Sequence, residues 1–160
     1  MKLWDASFPL ICLKGEGTRK FLQGQISSEI ISLKEQEIIR TCWLSPLGKI
    51  RALLELRLIN NGAEILIISG NIKEVFDGLD KVIFPFDNVS INLSGNIRRV
   101  QLMSYSESWR KSLFRWVFNE KDELKSFQNY ENASKSELEE WIINQGIIFD
   151  FSLLNIETNP

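Results

Sequence analysis

Apolar residues recur along this chain in two rhythms, and the switch between them predicts a succession of strands and helices. Phe8 to Leu13 is a short apolar run with Pro9 near its start, closed by Gly15-Glu16-Gly17, the pattern of a strand ending in a tight turn. Leu22, Ile26 and Ile30 then fall every fourth residue beside Phe21, which predicts a helix from Arg19 to about Ile31 with Thr18 as its cap. Gly24 weakens that helix. Glu37 to Leu44 reads as a strand broken at Ser45-Pro46-Leu47-Gly48, where proline presets a turn. Beyond the turn, Ile50, Ala52, Leu54, Leu56 and Leu58 alternate with Arg51, Leu53, Glu55, Arg57 and Ile59, the period of a half-buried strand. Asn60-Asn61-Gly62 tolerates positive φ and leads by a tight hairpin into a strand from Ala63 to Ser69. Three adjacent antiparallel strands are expected.

Asn71 caps the next helix with Glu74 at the reciprocal position, and Ile72, Val75, Phe76, Leu79, Val82 and Ile83 share one face until Pro85. Asn88 to Leu93 and Ile97 to Met103 read as strands around Ser94-Gly95-Asn96, with Arg98 and Arg99 toward solvent. Trp109, Phe114, Trp116 and Phe118 mark a further packed segment, and Asn119 to Lys135 is polar enough for a long loop. A last helix is predicted from Ser136, with Glu139 in its capping box, to Gly146. Strands and helices do not alternate strictly, so the expected class is α+β, with mixed, largely antiparallel sheets packed with helices. The expected division is a first subdomain over 1–95 and the start of a second over 96–160.

Composition narrows the chemistry. The chain of 160 residues is 44% hydrophobic and 25% charged, globular values, and no run approaches the ~18 apolar residues of a membrane helix. Met1 to Leu10 resembles neither a secretory signal nor a transit peptide, so a cytoplasmic protein is expected. The chain has no histidine, which removes the commonest general base, zinc ligand and partner of a catalytic serine or cysteine. A net charge of −2 with scattered lysine and arginine gives no broad field for nucleic acid or an anionic membrane. Cys12 and Cys42 lie outside any C-x-x-C pair and read as buried free thiols.

Gly15-Glu16-Gly17-Thr18 lacks both the third glycine of a dinucleotide fingerprint and the Gly-Lys-Ser/Thr of a P-loop, so it reads as a plain strand-to-helix turn. Five tryptophans and ten phenylalanines offer faces for a flat heterocycle, while Trp141 and Phe76 are already accounted for by apolar helix faces. Asp5, Asp87 and Asp150 are the carboxylates available for recruitment to a site, Asp150 lying in a strongly apolar run.

Leu13 to Ile30, with Lys20-Phe21-Leu22-Gln23-Gly24-Gln25 at its centre, resembles the opening of YgfZ-like folate-binding proteins of the glycine-cleavage T-protein superfamily. Leu44 to Ile50 resembles that superfamily's hairpin, Gln145-Gly146-Ile147 its later turn, and Leu154 to Asn159 a closing segment. In the T-protein the strand after the hairpin bears paired aspartates, one of them catalytic beside the folate; Arg51-Ala52 stands there in this chain, and Ser69 replaces a frequent asparagine. The resemblance therefore implies the YgfZ-like branch, which binds tetrahydrofolate and is linked to iron–sulfur cluster maintenance and tRNA modification, rather than an active aminomethyltransferase. That branch carries a signature with a reactive cysteine after the segment resembled by Leu154 to Asn159, whereas the sequence stops at Pro160. A fragment, a split half needing a complementary C-terminal half, and a degenerate member are the three expectations, and neither Cys12 nor Cys42 matches the cysteine's context.

By the same resemblance Phe8 matches a position where a relative has a tryptophan at the folate channel, which implies Phe8 as a stacking partner for a pterin. Trp43, Gln23 and Gln25 are further folate-binding candidates, and Arg57 is a bidentate partner for the ligand's glutamate tail. The expected function is a tetrahydrofolate-binding accessory protein with an iron–sulfur client protein as partner. Its rivals are a one-carbon transferase of the aminomethyltransferase type and a non-catalytic interaction domain.

Overall fold

The computed structural model describes residues 1–147 and 149, and within it the chain forms two compact units. One comprises Pro9–Gly95; the other comprises Met1–Phe8 and the described residues from Asn96 onward. The first of these ends at Gly95, and the opening residues, Met1–Phe8, group with the described residues from Asn96 onward. They do so because Lys2 and Leu3 pair in parallel with Glu131 and Asn132.

In the unit Pro9–Gly95 the strand order is β2 (Ile38–Leu44), β3 (Ile50–Ile59), β4 (Gly62–Ser69) and β1 (Lys2–Lys14), each neighbouring pair antiparallel. Alternate side chains, Ile11 and Leu13, Leu54, Leu56 and Leu58, Ile65 and Ile67, share one core with Leu22, Val75 and Leu79. Each such aliphatic side chain contributes roughly 1.5–3 kcal/mol when fully buried. The predicted half-buried alternation on β3 is corrected, because Leu53 and Glu55 are buried as well. Glu55 meets that cost through an ion pair with Arg40, its cross-strand neighbour, at 3.1 Å.

Helix α1 spans only Thr18–Gln23, so the predicted helix to Ile31 is too long. After Gly24 the backbone leaves the helix and Ile26 bridges to Trp43, while the Gln23 amide accepts hydrogen bonds from the Ile30 and Ile31 N–H groups. Ile26 and Ile30 are buried nevertheless, so the four-residue spacing reported burial and not helix. Thr18 is the first helical residue rather than the cap, its hydroxyl donating to Gly15 O at 2.8 Å. Helix α2, Ile72–Asp80, has the expected Asn71 cap, whose side chain accepts from Glu74 N–H at 3.1 Å.

The two strands expected around Ser94-Gly95-Asn96 are one strand, β5 (Ser90–Met103), in which Gly95 absorbs the irregularity at φ +73°. In the second unit β5 pairs with β6 (Phe114–Val117), and the expected loop from Asn119 contains α3 (Glu120–Glu123) and β7 (Glu131–Asn132). The last helix, α4, is Lys135–Asn144, capped by Ser134 with Glu137 rather than by Ser136 with Glu139. Hydrogen bonds from Ser134 hold the Glu137 carboxyl below its ordinary value. Arg99 does not face solvent: it is fully buried, with its guanidinium about 5 Å from the Trp4 and Phe114 ring centroids. Arg98 binds Asp5 at 2.6 Å and Glu120 at 2.8 Å. Cys12 and Cys42 are thiols and only partly buried.

The turn before α1 is fixed by backbone approach. Gly17 has an ordinary φ of −83°, yet a Cβ there would collide with the Asp87 carbonyl, and one at Gly15 with that of Asn88. Gly17→Ala is expected to lower stability by about 2 kcal/mol or more, read as a fall in the denaturation midpoint at unchanged slope. An unchanged midpoint would show that the two turns part freely.

Candidate functional site

A pocket of about 420 Å³ lies beside the β2–β3 hairpin in the unit Pro9–Gly95. Its hairpin wall is built by Ser45, Pro46 and Gly48: Ser45 and Lys49 close the turn through a 2.8 Å backbone bond, and Gly48 takes φ +78°, which side chains disfavour. Trp43 supplies the aromatic wall, buried on β2 just before a bulge between Trp43 and Leu44. One edge of its indole lies so close to α2 that a Cβ at Gly78 would collide with ring carbons Cζ2 and Cη2.

Arg51, at the start of β3, lies over the Trp43 ring with its guanidinium carbon 4.9 Å from the centroid. The same guanidinium lies 3.6 Å from Glu74, and both side chains are partly exposed, so the ion pair restrains it only weakly. A guanidinium stacked on an indole keeps its in-plane N–H donors, the geometry that pairs with a carboxylate or phosphate. Lys81 adds a second cation, and among the described residues no carboxylate lines this pocket. The site can hold an anionic group beside an apolar wall, with the Gln25 amide at its margin.

Of the five residues proposed from the sequence, Trp43 and Gln25 line this pocket. Gln23 does not, because its amide ties down the chain after α1, donating to Ser28 O at 3.1 Å as well as accepting from Ile30 and Ile31. Arg57 is committed to Glu64 through two hydrogen bonds, of 2.6 and 3.1 Å. Phe8 belongs to the other unit, where its ring meets Trp4 edge-on at 5.8 Å. Among the carboxylates, Asp5 is paired with Arg98, Asp87 accepts from Phe84 N–H at 2.7 Å, and Asp150 lies outside the described residues. Arg51, Lys81 and Gly78 were not proposed as site residues. Gly78 carried a readable signal, since an isolated glycine inside a strongly amphipathic helix calls for a packing reason.

Among the described residues no group of three or more histidine, cysteine, aspartate or glutamate side chains is placed to hold a metal ion. No helix there is long and apolar enough to cross a membrane.

Neither a family model nor a curated relative matches the sequence. Among solved structures the chain is similar to the crystal structure of glycine cleavage system aminomethyltransferase T from Bartonella henselae, with a TM-score of 0.55 and 22% identity. The match covers 62% of this chain and 28% of that one, so the chain spans well under two thirds of that protein. At this identity the likeness establishes the fold: an α+β, aminomethyltransferase-like arrangement of strands and helices.

Gly78→Ala is expected to displace the Trp43 indole, cost roughly 1–3 kcal/mol and alter the near-ultraviolet dichroism. Gly24→Ala, whose Cβ would find ordinary contact distances, is expected to leave both measurements nearly unchanged.

Proposed function

We propose that this chain binds a tetrahydrofolate-type ligand, a planar heterocycle joined to an anionic tail, and that it acts by binding rather than by turnover. The observation that carries this reading is the Arg51 guanidinium stacked on Trp43 at the wall of a ligand-sized pocket, within an aminomethyltransferase-like fold. The residues fit such a ligand. Arg51 and Lys81 match its carboxylates, and the buried indole holds Arg51 in place while excluding water from one side of the pair.

Arg51 also bears on the enzymatic alternative. It stands where the resemblance to the T-protein places a catalytic carboxylate, and a guanidinium neither accepts a proton nor balances positive charge on a reacting amine. Asp5 and Asp87 are engaged elsewhere, which further favours binding over aminomethyl transfer. The YgfZ-like resemblance extends the proposal to an accessory role in iron–sulfur protein maintenance or tRNA modification, with a client protein or a complementary C-terminal half as partner and the cytoplasm as the compartment.

Calorimetric titration with 5-formyltetrahydrofolate, followed in parallel by tryptophan fluorescence, tests the binding itself. Saturable binding is expected, weakening with added salt and falling about tenfold in Arg51→Gln, the loss of one charge-assisted pair. Absence of binding by the folded chain would sink the proposal.

A further inference from the structure

A second pocket, of about 500 Å³, shares Gln25 and Val82 with the first and is otherwise lined by Glu16, Lys20, Phe84 and Phe86 among others. Its aromatic wall is held open to water. Phe84 and Phe86 are 54% and 81% exposed, yet their rings lie parallel within 8° at 5.7 Å between centroids. The turn that carries them is rigid on three counts: Pro85 opens a 3-10 turn, the Asp87 carboxylate accepts from Phe84 N–H, and Asn88 takes a left-handed φ of 53°. The glycines at 15 and 17 clamp the carbonyls of Asp87 and Asn88 from the other side.

The two pockets differ in charge. Arg51 and Lys81 make the first cationic, while Glu16 and Asp87 outweigh Lys20 in the second. They differ in aromatic access as well. Arg51 covers the Trp43 ring and Gly78 abuts its edge, whereas the outer face of the phenylalanine pair is open.

We infer that the two pockets form one bipartite site that fixes the direction of an elongated ligand, its planar heterocycle against Phe84 and Phe86 and its anionic group at Arg51 and Lys81. This rests on the binding reading above and adds an orientation and a second subsite to it. A flat ring with amino donors suits an open phenyl face beside the Glu16 carboxylate, where an anion would be repelled. Gln25, common to both pockets, is placed to meet the polar middle of the ligand.

The test uses three probes on the whole chain: 5-formyltetrahydrofolate, pterin alone, and p-aminobenzoylglutamate alone, with calorimetry for the first and ligand-observed saturation-transfer NMR for the fragments. Phe86→Ala, at a residue too exposed to disturb folding, is expected to weaken the whole ligand and pterin about tenfold and to leave p-aminobenzoylglutamate unchanged. Arg51→Gln is expected to do the converse with the fragments. Unaltered affinity of the whole ligand in Phe86→Ala, with the Arg51→Gln loss intact, would overturn the bipartite site while leaving the binding reading in place. Loss of both fragments in both variants would place ring and anion in one pocket and likewise overturn it. Failure of every probe on the folded wild-type chain would remove the binding reading and this inference together.

Discussion

Burial of alternate residues on β1, β3 and β4 against α1 and α2 is the constraint from which the rest of the unit Pro9–Gly95 follows. Ile11, Leu13, Leu54, Leu56, Leu58, Ile65 and Ile67 can share one core only in a single register, since a slip of one residue would turn the set away. Two bulges interrupt that register without breaking it, one at Trp43/Leu44 and one at Leu53/Leu54. The first sits at the pocket, next to the tryptophan on which Arg51 stacks. Bulges re-aim side chains at strand ends, so the sheet that holds the core together also sets the aim of the site.

Close backbone approach is the second device. Gly15, Gly17 and Gly78 each stand where a methyl group would collide with a carbonyl or an indole ring. These contacts clamp the Phe84–Asn88 turn to the start of α1 and seat Trp43 on α2. Both pockets are therefore bounded by segments whose spacing is set by the absence of a side chain, and pre-formed walls of this kind lower the ordering cost of binding.

The second unit solves a different problem, that of burying a charge. Arg99 lies between Trp4 and Phe114 and donates to Gln101 at 2.7 Å; Gln101 in turn donates to Trp109 O and Ser112 Oγ. Trp141 Nε1 donates to Ser104 O at 2.9 Å, a contact between residues far apart in the chain. Aromatic faces and a chained set of hydrogen bonds offset the desolvation of the guanidinium, which explains why polar residues recur among the large aromatics of this segment.

Local chemistry alone was enough to locate the hairpin at Ser45–Gly48, the turn at Asn60–Gly62, the capped start of α2 and the α+β class, because turns, caps and period-two burial are written over a few consecutive residues. The resemblance carried by Lys20 to Gln25 also pointed to the fold later found in the aminomethyltransferase neighbour. Tertiary structure decided the rest. Spacing of Leu22, Ile26 and Ile30 says that they are buried, not that a helix carries them, and the Gln23 amide bonds that end α1 join residues several positions apart. Arg57 and Gln23 looked as available as Trp43 and Gln25, but Glu64 and the backbone after α1 had already engaged them. Arg51 became a candidate only when folding laid it on Trp43, since stacking and burial are relations between elements that no single stretch of sequence contains.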